Sequence, residues 1–198
     1  MQKRSASAIY NIGHKANADA GSLTETRSQP GTKAKLSLSA MECVGTVSKT
    51  GLGSYEIVVK GDEVWAKLDA NLTKAVERMA GPGASLPSGA WLHGTTSHGL
   101  LKGLASYCHT EQFTKPDTAS AKLTKGAVTK VDGQPVVPVS LSGGEGANVT
   151  YYVATTGKPR LIRQESTSKS VPTLAYSSFG SPVGAEEPSG KIVPAPKD

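Results

Sequence analysis

At 198 residues the chain is long enough for one domain with a full core, or at most two small ones. Its 22 Gly, 12 Pro and many Ser and Thr favour an all-β or α+β class over a helical bundle. The net charge is +6, yet the basic residues are scattered, with no block longer than Lys3-Arg4 and no interleaved aromatics, which argues against a nucleic-acid partner. A mildly basic surface of this kind suits plain solvation, or attraction to anionic lipid or cell-wall polymer. No apolar run is long enough to span a membrane. Aromatics are only 5% of residues, so the core must rest on Val, Leu, Ile and Ala.

Residues 5–18 carry Ile9, Ile12 and Ala16 at helical spacing, which predicts a first short helix despite Gly13. From Ser22 the period changes to two. Across residues 33–41, Leu36, Leu38 and Ala40 share one face; across 54–60, Tyr55, Ile57 and Val59 do. Gly61-Asp62 is a two-residue hairpin turn, and Val64, Ala66 and Leu68 form the return strand. Leu68, Leu72, Val76 and Met79 then form one helical stripe, with Asp69 or Asn71 as cap and Gly81-Pro82-Gly83 as terminator. A loop through Pro87 and Gly89 leads to Trp91 and Leu92, and Ser97 is placed to cap a third helix bearing Leu100, Leu101, Leu104 and Cys108. Strand periodicity returns at Lys122. It covers Val128–Val131, a turn at Asp132-Gly133, the alternating Val137, Val139 and Leu141, then Val149, Tyr151 and Val153, and finally 161–165 and 174–179. Pro135 and Pro138 cannot donate ladder bonds, so their strand is expected at an edge or bulged. The expected order is one helix, five strands, two helices and five strands, with no parallel sheet.

Cys43 and Cys108 match no zinc spacing. If they pair, closing so long a loop contributes about 4 kcal/mol in the chain-entropy model; the alternative is two free buried thiols. Cys108 shares the stripe of Leu104, so a helix packed on the sheet would turn it toward Cys43. His93, His98 and His109 lie near Cys108, but their spacing fits no standard zinc or copper motif, and no metal or cofactor is expected. Gly83-Ala84-Ser85-Leu86-Pro87 fails the nucleophile-elbow pattern at its last position, and no phosphate loop is present, so no catalytic set is expected.

Three runs carry a family likeness: Cys43-Val44-Gly45-Thr46-Val47, Gly53-Ser54-Tyr55-Glu56-Ile57-Val58, and Gly61-Asp62-Glu63-Val64-Trp65-Ala66-Lys67. Later come Thr124-Lys125-Gly126-Ala127-Val128, Val131-Asp132-Gly133-Gln134-Pro135-Val136-Val137-Pro138-Val139, and Tyr152-Val153-Ala154-Thr155-Thr156-Gly157-Lys158-Pro159. Together, over roughly residues 5–180, these resemble the LolA-like and LppX/LprG-like cell-envelope lipoproteins of actinobacteria, in particular streptomycete relatives. The resemblance implies an α+β fold: a strongly curved antiparallel β-sheet, the LolA-like half-barrel, with about three helices packed on or covering its concave face. It implies one domain over residues 1–180, and the Pro-rich residues 181–198 read as a flexible tail. It also implies an extracytoplasmic, non-enzymatic protein that binds or carries a hydrophobic or acylated molecule, lipid or glycolipid, in an apolar cavity. Family members are anchored through a lipidated Cys; no lipobox Cys or apolar signal stretch occurs here, so attachment to the outer face of the cytoplasmic membrane is expected of a precursor. The hydrophobic pattern independently offers candidate cavity walls: Tyr55, Ile57, Val59, Val64, Val137 and Val139 from strands, and Val76, Met79, Leu101 and Leu104 from helices. The alternative is a protein-interaction or sensor module of the same fold without a lipid, in which these residues form a filled core.

Overall fold

The structure is a computed structural model that describes residues 3–81, 85–109, 122–142 and 148–196. The elements in the first half are α1 (Ala6–Ala18), β1 (Ser22–Gln29), β2 (Thr32–Ser39), β3 (Glu42–Lys49), β4 (Gly53–Lys60), β5 (Glu63–Leu68) and α2 (Ala70–Ala80). Then come β6 (Trp91–Thr95), α3 (Gly99–Ala105), β7 (Lys122–Lys125), β8 (Thr129–Val131) and β9 (Gln134–Ser142). The last four are β10 (Asn148–Ala154), β11 (Leu161–Ser166), β12 (Thr173–Ser177) and β13 (Ile192–Pro194). Two compact units result, one from Met1–Pro30 with Thr110–Ser181 and one from Gly31–His109 with Pro182–Asp198.

In the first unit the antiparallel strand order is β1-β12-β11-β10-β9-β7, with β8 also on β9. Helix α1 packs on these strands. It starts where the Ser5 hydroxyl accepts the Ala8 N–H at 3.2 Å, a side-chain cap of the usual kind. Gly13, a weak helix former, has a packing reason: a Cβ there would stand 2.8 Å from Val153 Cγ2. Its absence lets α1 approach β10 closely. The fully buried Ile9 and the buried Asn17, whose Nδ2 donates to the Leu161 carbonyl at 2.8 Å, fix the same face.

Strand β9 is not an edge strand. Its residues 136–142 pair with β10, and β8, then β7, pair on its other side. Pro138 is accommodated by the bulge that the sequence offered as an alternative, in which Val137 and Pro138 face the three residues 126–128 between β7 and β8, while Pro135 pairs with Lys130 of β8. There the Gly126 N–H donates to the Pro138 carbonyl at 2.9 Å, so Pro138 needs no donor of its own.

In the second unit the order is β13-β6-β5-β4-β3-β2, with α2 and α3 packed on the central strands. Ala34, Leu36 and Leu38 of β2 are buried, as period two requires; Ala40, beyond the strand end, is exposed. Trp91-Leu92, which the expected order places in no strand, begins β6, which pairs Trp65 with His93 and Ala66 with Leu92. Helix α3 is capped by His98 rather than Ser97, and it ends at Ala105, so Cys108 lies in the turn that follows.

The expected C-terminal tail makes β13, parallel to β6. Its prolines are tolerated because the bonds pass through their neighbours: the Lys191 carbonyl accepts from Trp91 N–H at 2.9 Å, and Ala195 N–H donates to the His93 carbonyl at 2.8 Å. The approach to β13 lays Val183 and Ala185 over Val58 and Trp65, burying Ala185 to 3% exposure. Both faces of β4 and β5 are thereby covered.

Candidate ligand-binding site

Eight of the ten candidate wall residues fall in the second unit. Tyr55, Ile57 and Val59 alternate along β4, and the register sets Val64 of β5 directly opposite Val59. Helices α2 and α3 lie against these two strands and bring Val76, Leu101 and Leu104 to the same layer. Leu101 reaches β6 because Gly94 has no Cβ; one added there would lie 2.8 Å from Leu101 Cδ1. The Tyr55 hydroxyl donates to the Leu104 carbonyl at 2.8 Å and ties β4 to the end of α3. Burial, and secondarily the neighbouring Tyr107, push the Tyr55 phenol well above its ordinary pKa, so it stays a donor. All of these except Met79 are 9% exposed or less, which makes a closed apolar layer beneath the helices. Met79 departs from the stripe and is 78% exposed. In α2 the covered face is formed by Leu72, Thr73, Ala75 and Val76, and Met79 occupies the last turn, beyond the part seated on the sheet. Val137 and Val139 are also buried, but in the first unit, on β9.

No protein-family model and no curated protein matches the sequence. Among solved structures the chain is similar to the Mycobacterium tuberculosis lipoprotein LppX, with a TM-score of 0.57 at 13% identity over 91% of this chain and 99% of that one. The fold is LppX-like. It is an α+β fold with three helices among the described residues, its strand pairs antiparallel apart from β13 and β6. Weaker likenesses are to MucB in complex with MucA(peri) and to a LolA superfamily protein from Nitrosomonas europaea. The first has a TM-score of 0.44 and 12% identity, over 86% of this chain and 53% of that one. The second has a TM-score of 0.28 and 14% identity, over 88% and 92%. The fold assignment rests on LppX.

Two devices hold the helices of the second unit on the layer. Cys43 of β3 and Cys108 after α3 form a disulfide, with Cα atoms 5.7 Å apart and a sequence separation of 65. Asp69 caps α2: one carboxylate oxygen accepts the Leu72 N–H at 2.8 Å, and the other accepts the Ser54 N–H at 2.6 Å and hydroxyl at 2.8 Å. This second bond set binds the β3–β4 hairpin to the helix. It needs Gly53, where a Cβ would lie 2.7 Å from the Leu72 nitrogen.

The Leu72 N–H, chiefly, holds the Asp69 carboxyl below its ordinary range; desolvation, next in size, opposes it, and the Ser54 hydroxyl and N–H add to the lowering. A depressed folded-state value contributes stability above the unfolded carboxylate pKa of about 3.9, and the contribution is lost as pH falls through the folded value. Asp69→Ala is therefore expected to cost about 1 kcal/mol at neutral pH, a typical side-chain cap. Urea midpoints of wild type and variant should converge as pH falls through the depressed value of the wild-type carboxyl. Asp69→Asn keeps a capping oxygen and should lose less.

The histidines near Cys108 serve separate ends. His93 contacts Glu63 and stacks on Trp65, with ring centroids 4.9 Å apart. His98 Nδ1 accepts the Leu101 N–H at 3.4 Å, and its Nε2 bonds the Pro196 carbonyl at 2.5 Å. Among the described residues no three His, Cys, Asp or Glu side chains gather as a metal-holding group.

Sequence reading missed a buried polar cluster in the first unit. Glu25 of β1 is 1% exposed and sits opposite Tyr176 of β12; Arg27 Nε donates to Glu25 Oε1 at 3.3 Å. Tyr10 and His14 of α1 complete it with Tyr151 of β10, the Tyr10 and Tyr151 rings meeting edge-on at 4.8 Å. Burial first, and Glu25 second, raise the Tyr176 phenol pKa. The available signal was Glu25 itself, an acid directly after Leu23-Thr24 in a strand where a covered position was due.

Proposed function

We propose that the chain is a non-enzymatic, extracytoplasmic binding protein that holds a hydrophobic or acylated molecule, lipid or glycolipid, against the β4–β5 layer. The observation that carries this reading is an LppX-like fold whose helix-covered strand face is built from aliphatic side chains, with the Tyr55 hydroxyl as its polar handle. Such a surface recognises a chain by burial alone. Each methylene transferred contributes about 0.8 kcal/mol, so ten contribute roughly 8 kcal/mol before ordering costs. Because α2 and α3 cover the layer, a ligand enters by displacing or lifting them, and wall residues Tyr55, Ile57, Val59, Val64, Val76, Leu101 and Leu104 are its contacts. The disulfide suits an oxidising compartment.

The same closed layer also favours the second reading, an interaction module without a lipid, in which those side chains are simply core. Titration with a neutral, fluorescent long-chain acylglycerol separates the two. Saturable binding at one molecule per chain, insensitive to salt and lost when the chain is shortened, is expected of a carrier. Folded protein that takes up none of it is an interaction module.

A further inference from the structure

A second site lies wholly within the first unit, where α1 ends beside the β10–β11 turn. A pocket of about 320 Å³ opens there, within the size range of small-ligand sites. Its floor is apolar, from Ile12, Ala16 and Pro159, and its rim is cationic, from Lys15, Lys158 and Arg160. Asp19 is the one acid in the lining, and Lys15 bridges to it at 2.8 Å. That pair is well exposed, so little free energy holds it, and Lys15 is free to turn to an incoming anion.

Among the described residues neither Lys158 nor Arg160 has a carboxylate partner. Arg160 is nonetheless held in place: its guanidinium lies 4.3 Å from the Phe179 ring centroid. Its backbone is fixed as well, with the Arg160 N–H donating to the Lys158 carbonyl at 2.8 Å and the Ala154 N–H to the Arg160 carbonyl at 2.9 Å. The carbonyls at the end of α1 do not oppose an anion strongly, because N–H groups of Asp19, Ala20 and Gly21 already occupy those of Lys15, Asn17 and Ala18.

We propose that this pocket binds a phosphate ester carried on a short apolar stem, the Arg160 fork and the two lysines taking the phosphate and the floor taking the stem. Arginine in a fixed plane is suited to two-pronged phosphate recognition, and an apolar floor distinguishes such a ligand from a free anion. The site does not depend on the acyl-layer reading.

The test is calorimetric titration of the full chain with monomeric dihexanoyl phosphatidylglycerol, dihexanoyl phosphatidylcholine and inorganic phosphate. Wild type should bind the anionic lipid most tightly, with affinity falling as salt rises. Lys158→Gln with Arg160→Gln should weaken it about tenfold, while acylglycerol uptake stays unchanged. Lys158→Gln alone, at an exposed position that cannot unfold the chain, should weaken it by a smaller factor in the same direction. Equal binding of the zwitterionic lipid, equal binding of inorganic phosphate, or an unchanged affinity in both variants would each overturn the proposal.

Discussion

Removing the Cys43–Cys108 bond, by Cys43→Ser with Cys108→Ser, is expected to produce one of the two largest losses of stability of any change considered. The bond closes a loop of 65 residues, for which the chain-entropy relation gives about 4 kcal/mol. For a chain of this size that corresponds to a fall in melting temperature of about 8–16 °C. The loss has a structural focus as well. Cys108 follows α3, a helix of seven residues that is too short to persist without tertiary support. Once freed, α3 should loosen the Tyr55–Leu104 bond and uncover Leu101 and Leu104, visible as faster amide exchange in β4 and α3 than in β10 and β11. A melting temperature within 2 °C or so of wild type, set against the scale above, would show that packing alone seats α3.

The second large effect is Gly45→Ala. Gly45 of β3 pairs with Leu36 on one side and Ile57 on the other. A Cβ there would lie 2.1 Å from the Lys35 carbonyl oxygen and 2.9 Å from Leu36 Cα. Both are backbone atoms of the adjacent strand, so no side chain can swing aside; β2 and β3 must part, breaking ladder bonds in the middle of the sheet. Overpacking of this kind costs about 3 kcal/mol or more. Gly103 supplies the internal control, since a Cβ added there meets nothing within 4 Å and the residue lies in α3. Gly103→Ala should be neutral or stabilising by up to about 1 kcal/mol from helix propensity. The same chemical change is thus expected to act with opposite signs at two sites, and urea midpoints read both. A Gly45→Ala protein as stable as wild type would contradict the β2–β3 register.

The legible parts of this fold were those in which neighbours in sequence are neighbours in space. Tyr55, Ile57 and Val59, the Gly61-Asp62 turn and the return strand declare a hairpin locally; Asp69, Leu72, Val76 and Gly81 declare a capped helix. The approach of Cys108 to Cys43 followed from the stripe on α3, although the cysteine itself lies one turn past the helix end. The parts that were not legible depend on distant partners. Strand β6 has no hairpin signal of its own and exists because β5 and β13 flank it. The C-terminal segment reads as a polar, Pro-rich tail until Val58 and Trp65 present an outer apolar face for Ala185 to cover. Pro138 forbade an ordinary ladder, yet only the pairing of β7 and β8 with one strand shows how the fold absorbs it. Of the candidate site, the β4–β5 face was readable from period two. Met79 was not, because helical spacing gives direction around an axis and says nothing about where along it the sheet stops. Glu25 was hidden for a related reason: its burial is created by Tyr176 and α1, which are remote in sequence.

Native mass spectrometry of the intact protein, purified without detergent from cells that express it in an exported form, tests the carrier reading most directly. A bound species of lipid mass at one per chain, released by organic solvent and absent after it, is the predicted result. A single peak at the polypeptide mass before extraction, from protein whose disulfide is formed, would contradict it.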